Sequence, residues 1–118
     1  MPARRRSRPK LGPEALQAIA NRFHILSEPN RLKILCALEA GELSVTEICS
    51  ATAITPANAS RHLQMMTEGG VVNRRKEGLN VFYAVEDRSI FTLCENVCRS
   101  LRLRYERKGK ALIDGAGI

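Results

Sequence analysis

Apolar positions recur at helical spacing in five stretches of the chain and alternate in two short ones. In residues 13–26, Leu16, Ile19, Phe23 and Leu26 fall on one helix face at spacings of three and four. Ser27 is the expected N-cap of a second helix, with Pro29 in its first turn. Leu32, Leu35 and Leu38 form its inner stripe, and Gly41 is a terminating glycine. Ser44-Val45-Thr46-Glu47 reads as a capping box, a hydroxyl at the N-cap and a carboxylate three residues on. It opens a short helix to about residue 52, with Val45, Ile48 and Cys49 inward. Ala53-Ile54 is the turn, and Thr55-Pro56 starts the next helix. That helix stops at Gly69-Gly70. Ala59, Leu63 and Met66 are its buried stripe, while Asn58, Arg61, Gln64 and Met65 point the other way.

Residues 71–76 and 80–85 are strand signals, with Glu77-Gly78-Leu79 as the hairpin turn. Residues 89–105 predict a last helix with the stripe Ile90, Cys94, Val97, Leu101 and Tyr105. The order is α-α-α-α-β-β-α, a mainly α fold with one β-hairpin. Two short helices joined by a tight turn make a helix-turn-helix, and a hairpin directly after it makes a winged helix-turn-helix. In such a fold the second helix enters the DNA major groove and the hairpin lies along the backbone or minor groove. Thr55, Asn58, Ser60, Arg61 and Gln64 are the expected contacts to bases or nearby phosphates, unless that surface is an ordinary solvated face. Arg61 and Gln64 have the chemistry for guanine and adenine edges. Arg74, Arg75 and Lys76 put charge on the hairpin.

The chain has 118 residues and 44% hydrophobic content, enough for one domain with tails. The expected organisation is a disordered basic arm over 1–12, a DNA-binding and dimerisation domain over 13–106, and a flexible tail over 107–118. No apolar run approaches the ~18 residues of a membrane span, and no secretory signal opens the chain, so a cytoplasmic protein is expected. The net charge of +7 indicates an anionic partner. It is unevenly placed: the first ten residues carry +5, residues 11–98 carry −2, and the last twenty carry +4. Contacts from the middle must therefore come from local clusters. Five aromatics and no tryptophan argue against base stacking on a single strand. No Ser-His-Asp arrangement, phosphate-binding glycine loop or metal triad stands out, so neither an enzyme nor a cofactor is expected.

Five motifs stand out together: Leu26-Ser27-Glu28-Pro29-Asn30-Arg31-Leu32-Lys33-Ile34-Leu35, then Gly41-Glu42-Leu43-Ser44-Val45-Thr46-Glu47-Ile48, Ser60-Arg61-His62-Leu63, Glu68-Gly69-Gly70-Val71-Val72 and Val81-Phe82-Tyr83. In combination they resemble the ArsR/SmtB family of repressors. The resemblance covers roughly residues 14–105. It implies a homodimer built on the first and last helices, an inverted-repeat operator in double-stranded DNA, repression, and release by an inducer. The amphipathic first and last helices independently favour a dimer. Pro56 stands where the family commonly has glutamine, which bears on the operator sequence. His62 resembles a family histidine; helix packing or a phosphate contact fits it better than metal ligation.

The resemblance also implies where a sensor site would lie. Ser44-Val45-Thr46 replaces the Cys-Val-Cys of arsenic and cadmium sensors. Asp87 matches the first zinc-site ligand of other members, but Ser89, Ser100 and Leu103 occupy the remaining positions, so no metal site is expected there. Four cysteines remain. Cys94 and Cys98 are four apart on one helix face, within ~6 Å at Cβ, a spacing suited to a soft thiophilic species. Cys36 stands where the persulfide-sensing branch of the family has one of its thiols. The second thiol of that branch corresponds to Arg102. Cys36, Cys94 and Cys98 are the candidate sensor thiols for a small thiol-reactive inducer, and Cys49 reads as core. Free cysteine is often only a small buried hydrophobe. Two alternatives therefore stand: a regulator of this type without a thiol switch, and a non-specific architectural DNA-binding protein.

Overall fold

The computed structural model describes residues 10–109. The elements run α1 (Pro13–Ile25), α2 (Pro29–Leu38), β1 (Leu43–Ser44), α3 (Val45–Thr52), α4 (Pro56–Glu68), β2 (Val72–Glu77), β3 (Asn80–Val85) and α5 (Ser89–Arg107). The strands form one antiparallel sheet in the order β1-β3-β2. The winged helix is therefore as expected, with one addition. Strand β1 pairs Leu43 with Tyr83 and Ser44 with Phe82. Two residues carry no readable alternation, and their partner strand lies far along the chain. The basic arm expected over 1–12 and the tail over 107–118 fall largely outside the described residues.

Caps explain most boundaries. Ser44 Oγ accepts from the Glu47 backbone N–H at 3.2 Å, and Ser44 N–H donates to the Glu47 carboxylate at 2.9 Å, completing the capping box of α3. Thr55 Oγ1 accepts from Asn58 N–H at 3.4 Å at the start of α4. The N-cap of α2 is Glu28, not Ser27: the Glu28 carboxylate accepts from Arg31 N–H at 3.1 Å. Ser27 instead donates its hydroxyl to the His24 carbonyl at 2.6 Å, one turn back in α1. A carboxylate at the cap also complements the positive helix N-terminus.

Ile34, Leu35, Leu38, Ile48, Leu63, Met66, Val71 and Val72 fill the core, all at or below 2% exposure. Ile34 belongs to the α2 stripe beside Leu35 and Leu38, whereas Leu32 packs at its margin. The outer helices are attached differently. Only Ile25 of α1 and Ile90 of α5 are buried. Leu16, Ile19 and Phe23 on α1, and Val97, Leu101, Leu103 and Tyr105 on α5, remain exposed on the single chain.

Candidate nucleic-acid interface

Helix α4 begins at the turn after α3. Thr52 is buried; its hydroxyl donates to the Ile48 carbonyl at 2.7 Å and accepts from Ile54 N–H at 3.3 Å. Ala53 then takes a left-handed conformation, φ 61° and ψ 18°, which reverses the chain. Ala59, Leu63 and Met66 anchor α4 with no exposed surface. The opposite face presents Arg61, Gln64 and the half-apolar Met65 to solvent, with Ser60 beside them and Asn58 partly covered. Arg61 donates to the Asn58 side-chain oxygen, and Gln64 donates to Glu68 at 3.2 Å. Both are exposed, local pairs along the helix, which an incoming hydrogen-bonding edge can replace. The Thr55 hydroxyl is already the helix cap.

The other side of α4 is held by a charged network absent from the sequence expectations. Arg31 is only 7% exposed. Its Nε donates to the Ile25 carbonyl at 2.6 Å and its Nη2 to the His24 carbonyl at 3.1 Å. The guanidinium thereby satisfies the free carbonyl end of α1, where the helix dipole favours a cation. Its Nη1 meets His62 Nδ1 on α4 at 3.3 Å. A guanidinium can only donate, so His62 Nδ1 is the acceptor of this contact. His62 Nε2 lies 3.8 Å from the Glu28 carboxylate. His62 thus ties α4 to the start of α2, and Arg31 carries the link on to the end of α1. Helix α1 has a second tie, through Arg22 Nη2 to the Gly69 carbonyl at 3.4 Å and Arg22 Nη1 to Asp87 at 3.5 Å.

The hairpin does not present its three basic residues together. The register pairs Arg74 with Tyr83, Arg75 with Phe82 and Lys76 with Val81. Arg74 and Lys76 therefore share one sheet face, and Arg75 lies on the other. Arg75 Nε and Nη2 donate to the two Glu42 carboxylate oxygens at 3.0 and 2.6 Å, and Nη1 donates to Glu77 at 2.6 Å. Its guanidinium carbon lies 4.7 Å from the centre of the Phe82 ring. These partners hold the Arg75 guanidinium well above its ordinary pKa, and hold Glu42 below the usual carboxylate range. Arg74 and Lys76 are exposed and have no side-chain partner among the described residues.

The candidate thiols are all free. Cys36 on α2 is exposed on the single chain, and Cys94 and Cys98 on α5 are partly covered. Partial desolvation by its neighbours pushes the Cys36 thiol above its ordinary pKa although the residue is exposed, and the nearby Glu39 and Cys94 add to the rise. Burial raises Cys94 likewise. Cys98 lies one turn before Arg102, whose Nη2 is 3.9 Å from its sulfur. Cys49 packs at the margin of the core. Asp87 accepts from both the Ser89 N–H, at 3.0 Å, and the Ser89 hydroxyl, at 2.6 Å, which holds it below the usual carboxylate range. Among the described residues, no group of three or more His, Cys, Asp or Glu side chains is placed to hold a metal.

Comparison with known proteins bears on this arrangement. The family model of the bacterial regulatory protein, arsR family, matches residues 28–74, from the Glu28 cap to the first wing arginine. The cadmium resistance transcriptional regulatory protein CadC of Listeria innocua is 35% identical over 91 residues, 76% of this chain and 76% of that protein. The chain belongs to the ArsR family. The curated relatives it matches are named as transcription regulators, not as enzymes. The transcriptional repressor SmtB homolog of Synechocystis is 29% identical over 86 residues. That match covers 73% of this ArsR-family chain but only 65% of the Synechocystis protein's length. Among solved structures, the homodimeric winged helix-turn-helix DNA-binding domain Mb0332 of Mycobacterium bovis superposes with a TM-score of 0.67. It is 31% identical, covering 73% of this chain and 82% of that one.

Proposed function

We propose that this ArsR-family chain is a homodimeric repressor that binds an inverted-repeat operator in duplex DNA. The carrying observation is the two-sided α4. Its apolar side is locked down by Ala59, Leu63 and Met66, and its other side offers Arg61 and Gln64 to solvent. In this reading Thr55, Asn58, Ser60, Arg61 and Gln64 face bases and adjacent phosphates, and the wing lies along the backbone. The open apolar faces of α1 and α5 supply the dimer contact, and two-fold symmetry sets the two recognition helices about one DNA turn apart. The protein would act on DNA in the cytoplasm.

Release would follow modification of the thiols by a reactive sulfur species, an oxidant, or a soft metal or arsenical. Cys36 and Cys94 are favoured as the working pair over Cys94 and Cys98, because they lie on different helices. A bridge between them would tie α2, which seats α4 through Arg31, to α5 on the dimer face. A second reading, an ArsR-type regulator without a thiol switch, is favoured by the raised pKa of the same two thiols. The raised pKa favours the protonated thiol at both, and the thiolate is the reactive form.

The test is fluorescence anisotropy with the DNA upstream of this chain's own gene. Fully reduced protein is titrated first, then protein exposed to inorganic polysulfide, with intact mass read on the same sample. The expected result is tight reduced binding, lost together with a mass gain that links two cysteines. Serine at Cys36 and Cys94 should keep DNA binding and lose the response. Tight binding that ignores both polysulfide and arsenicals favours the second reading. Equal binding to a scrambled duplex favours an architectural protein over an operator-specific one.

A further inference from the structure

The wing carries three adjacent cations, and one of them, Arg75, is already paired with two carboxylates. We propose that Glu42 and Glu77 mask Arg75, so that the wing meets the DNA backbone through Arg74 and Lys76 alone. This rests on the DNA-binding reading above and deepens it, by naming which sheet face meets phosphate and what withholds the other.

Three observations converge on Arg75. Its guanidinium makes a two-point contact with Glu42, at 3.0 and 2.6 Å, in the parallel geometry that is strongest for Arg and carboxylate. Its remaining nitrogen donates to Glu77 at 2.6 Å. Its flat face rests on Phe82. Each of its three nitrogens thus donates to a carboxylate, on a side chain that stays 48% exposed. The local charge is one cation against two carboxylates, so a phosphate approaching Arg75 meets net repulsion. Glu42 belongs to the segment leading into β1, and β1 pairs with β3 so that Ser44 sits opposite Phe82. The short third strand therefore brings Glu42 to the wing's outer face.

The opposite face differs. Arg74 and Lys76 are exposed there, with no carboxylate partner among the described residues. They lie two residues apart on one strand, so their side chains emerge in parallel. That face is continuous with buried Val72, at 1% exposure, which joins the wing to the core beside α4. A backbone running past α4 would meet these two cations first.

The mask is read in the salt dependence of binding. Each phosphate neutralised by a cation contributes about 0.9 to the slope of log affinity against log salt. The probe is a labelled random-sequence duplex, so no operator need be known. Each substitution falls on both wings of the homodimer, so Arg74→Ala and Lys76→Ala should each make the slope shallower by about 1.8. Arg75→Ala should leave it unchanged. Glu42→Gln with Glu77→Gln should steepen it by about 1.8. Adding Arg75→Ala to that pair should return the slope to the starting value, which separates unmasking from simple loss of negative charge. Thermal melts confirm that each variant folds. An Arg75→Ala slope change as large as that of Arg74→Ala overturns the mask, as does a Glu42/Glu77 effect that survives loss of Arg75. If the unaltered chain binds no duplex, the DNA-binding reading fails and the mask fails with it.

Discussion

His62 Nδ1 accepts from Arg31 Nη1 at 3.3 Å, and this contact couples the proposed reading helix to a cation buried beneath it. Arg31 also holds two backbone carbonyls at the end of α1. Lysine keeps the charge but lacks the planar fork that reaches all three acceptors. Arg31→Lys should destabilise the fold by about 2 kcal/mol, within the range for lost hydrogen bonds to a charged group. His62→Ala should cost about 1 kcal/mol, because it strands one guanidinium nitrogen. Urea unfolding of both single variants and the double variant checks this. The pair should be less costly than the sum, since the two residues share one network. Simple additivity would mean the contact carries no coupling.

Much of this architecture is legible in the sequence, because local signals mark it. The Ser44 capping box, the Thr55-Pro56 start and the glycines after Glu68 are short-range chemistry, and the structure places the helix ends where they fall. What escapes is non-local. Arginine is rarely buried, and nothing near Arg31 in sequence announces the carbonyls of α1 or the ring of His62. The same holds for Arg75, which reads as a free wing cation until Glu42, 33 positions away, is seen against it. Ser27 is the better N-cap by residue type, yet Glu28 takes the role, and the Ser27 hydroxyl closes the preceding turn instead.

The thiols should respond to pH in a definite direction. Cys36 and Cys94 both have raised pKa values, chiefly from burial. Alkylation of these two by iodoacetamide should be slow at neutral pH and should keep accelerating above the ordinary thiol range, because the thiolate is the nucleophile. The same shift has a stability sign. A thiol whose folded pKa exceeds its unfolded value supports the fold fully below the unfolded pKa. That support is lost as pH rises through the folded value. Peptide-resolved mass spectrometry against pH reads the first effect and urea midpoints the second. Fast alkylation of Cys36 at neutral pH would remove the burial argument and strengthen the thiol switch.

The exposed faces of the outer helices set up an assembly test. Phe23 on α1 is 53% exposed and Leu101 on α5 is 40% exposed, in a chain whose other large apolar groups are mostly inside. Burying one such side chain against a partner is worth roughly 1.5–3 kcal/mol. Phe23→Glu or Leu101→Glu should therefore convert a dimer into a monomer in sedimentation velocity, with helix content retained by circular dichroism. A dimer that survives both substitutions would place its contact elsewhere.

Gln64 separates base reading from charge. Its amide is neutral and, on the single chain, is engaged only with Glu68 at 3.2 Å. Gln64→Ala should weaken operator binding by about 1–3 kcal/mol and relax preference at one base position. The salt slope should stay as it is, because no phosphate contact is lost. Anisotropy on the operator and on single-base variants of it reads both quantities together. A changed slope with unchanged base preference would move Gln64 from the groove to its edge.

Ala53 carries a cost that the sequence conceals. It is the one residue other than glycine with positive φ among the described residues, at 61°, and it joins α3 to α4. A Cβ in that region costs roughly 1–2 kcal/mol, and the turn can bear it because Thr52 and Ile54 are buried on either side and bonded to each other. Glycine removes the Cβ penalty but adds freedom to the unfolded chain, worth roughly 0.4–1 kcal/mol. Ala53→Gly should therefore stabilise the fold by about 0.5–1 kcal/mol. Ala53→Val should destabilise it, since a branched side chain tolerates this conformation least. Urea midpoints at unchanged slope measure both. Because the glycine variant keeps the same backbone path into Thr55 and α4, its DNA affinity should match that of the parent chain. A drop in affinity at raised stability would mean that the turn's rigidity, and not only its shape, positions the recognition helix.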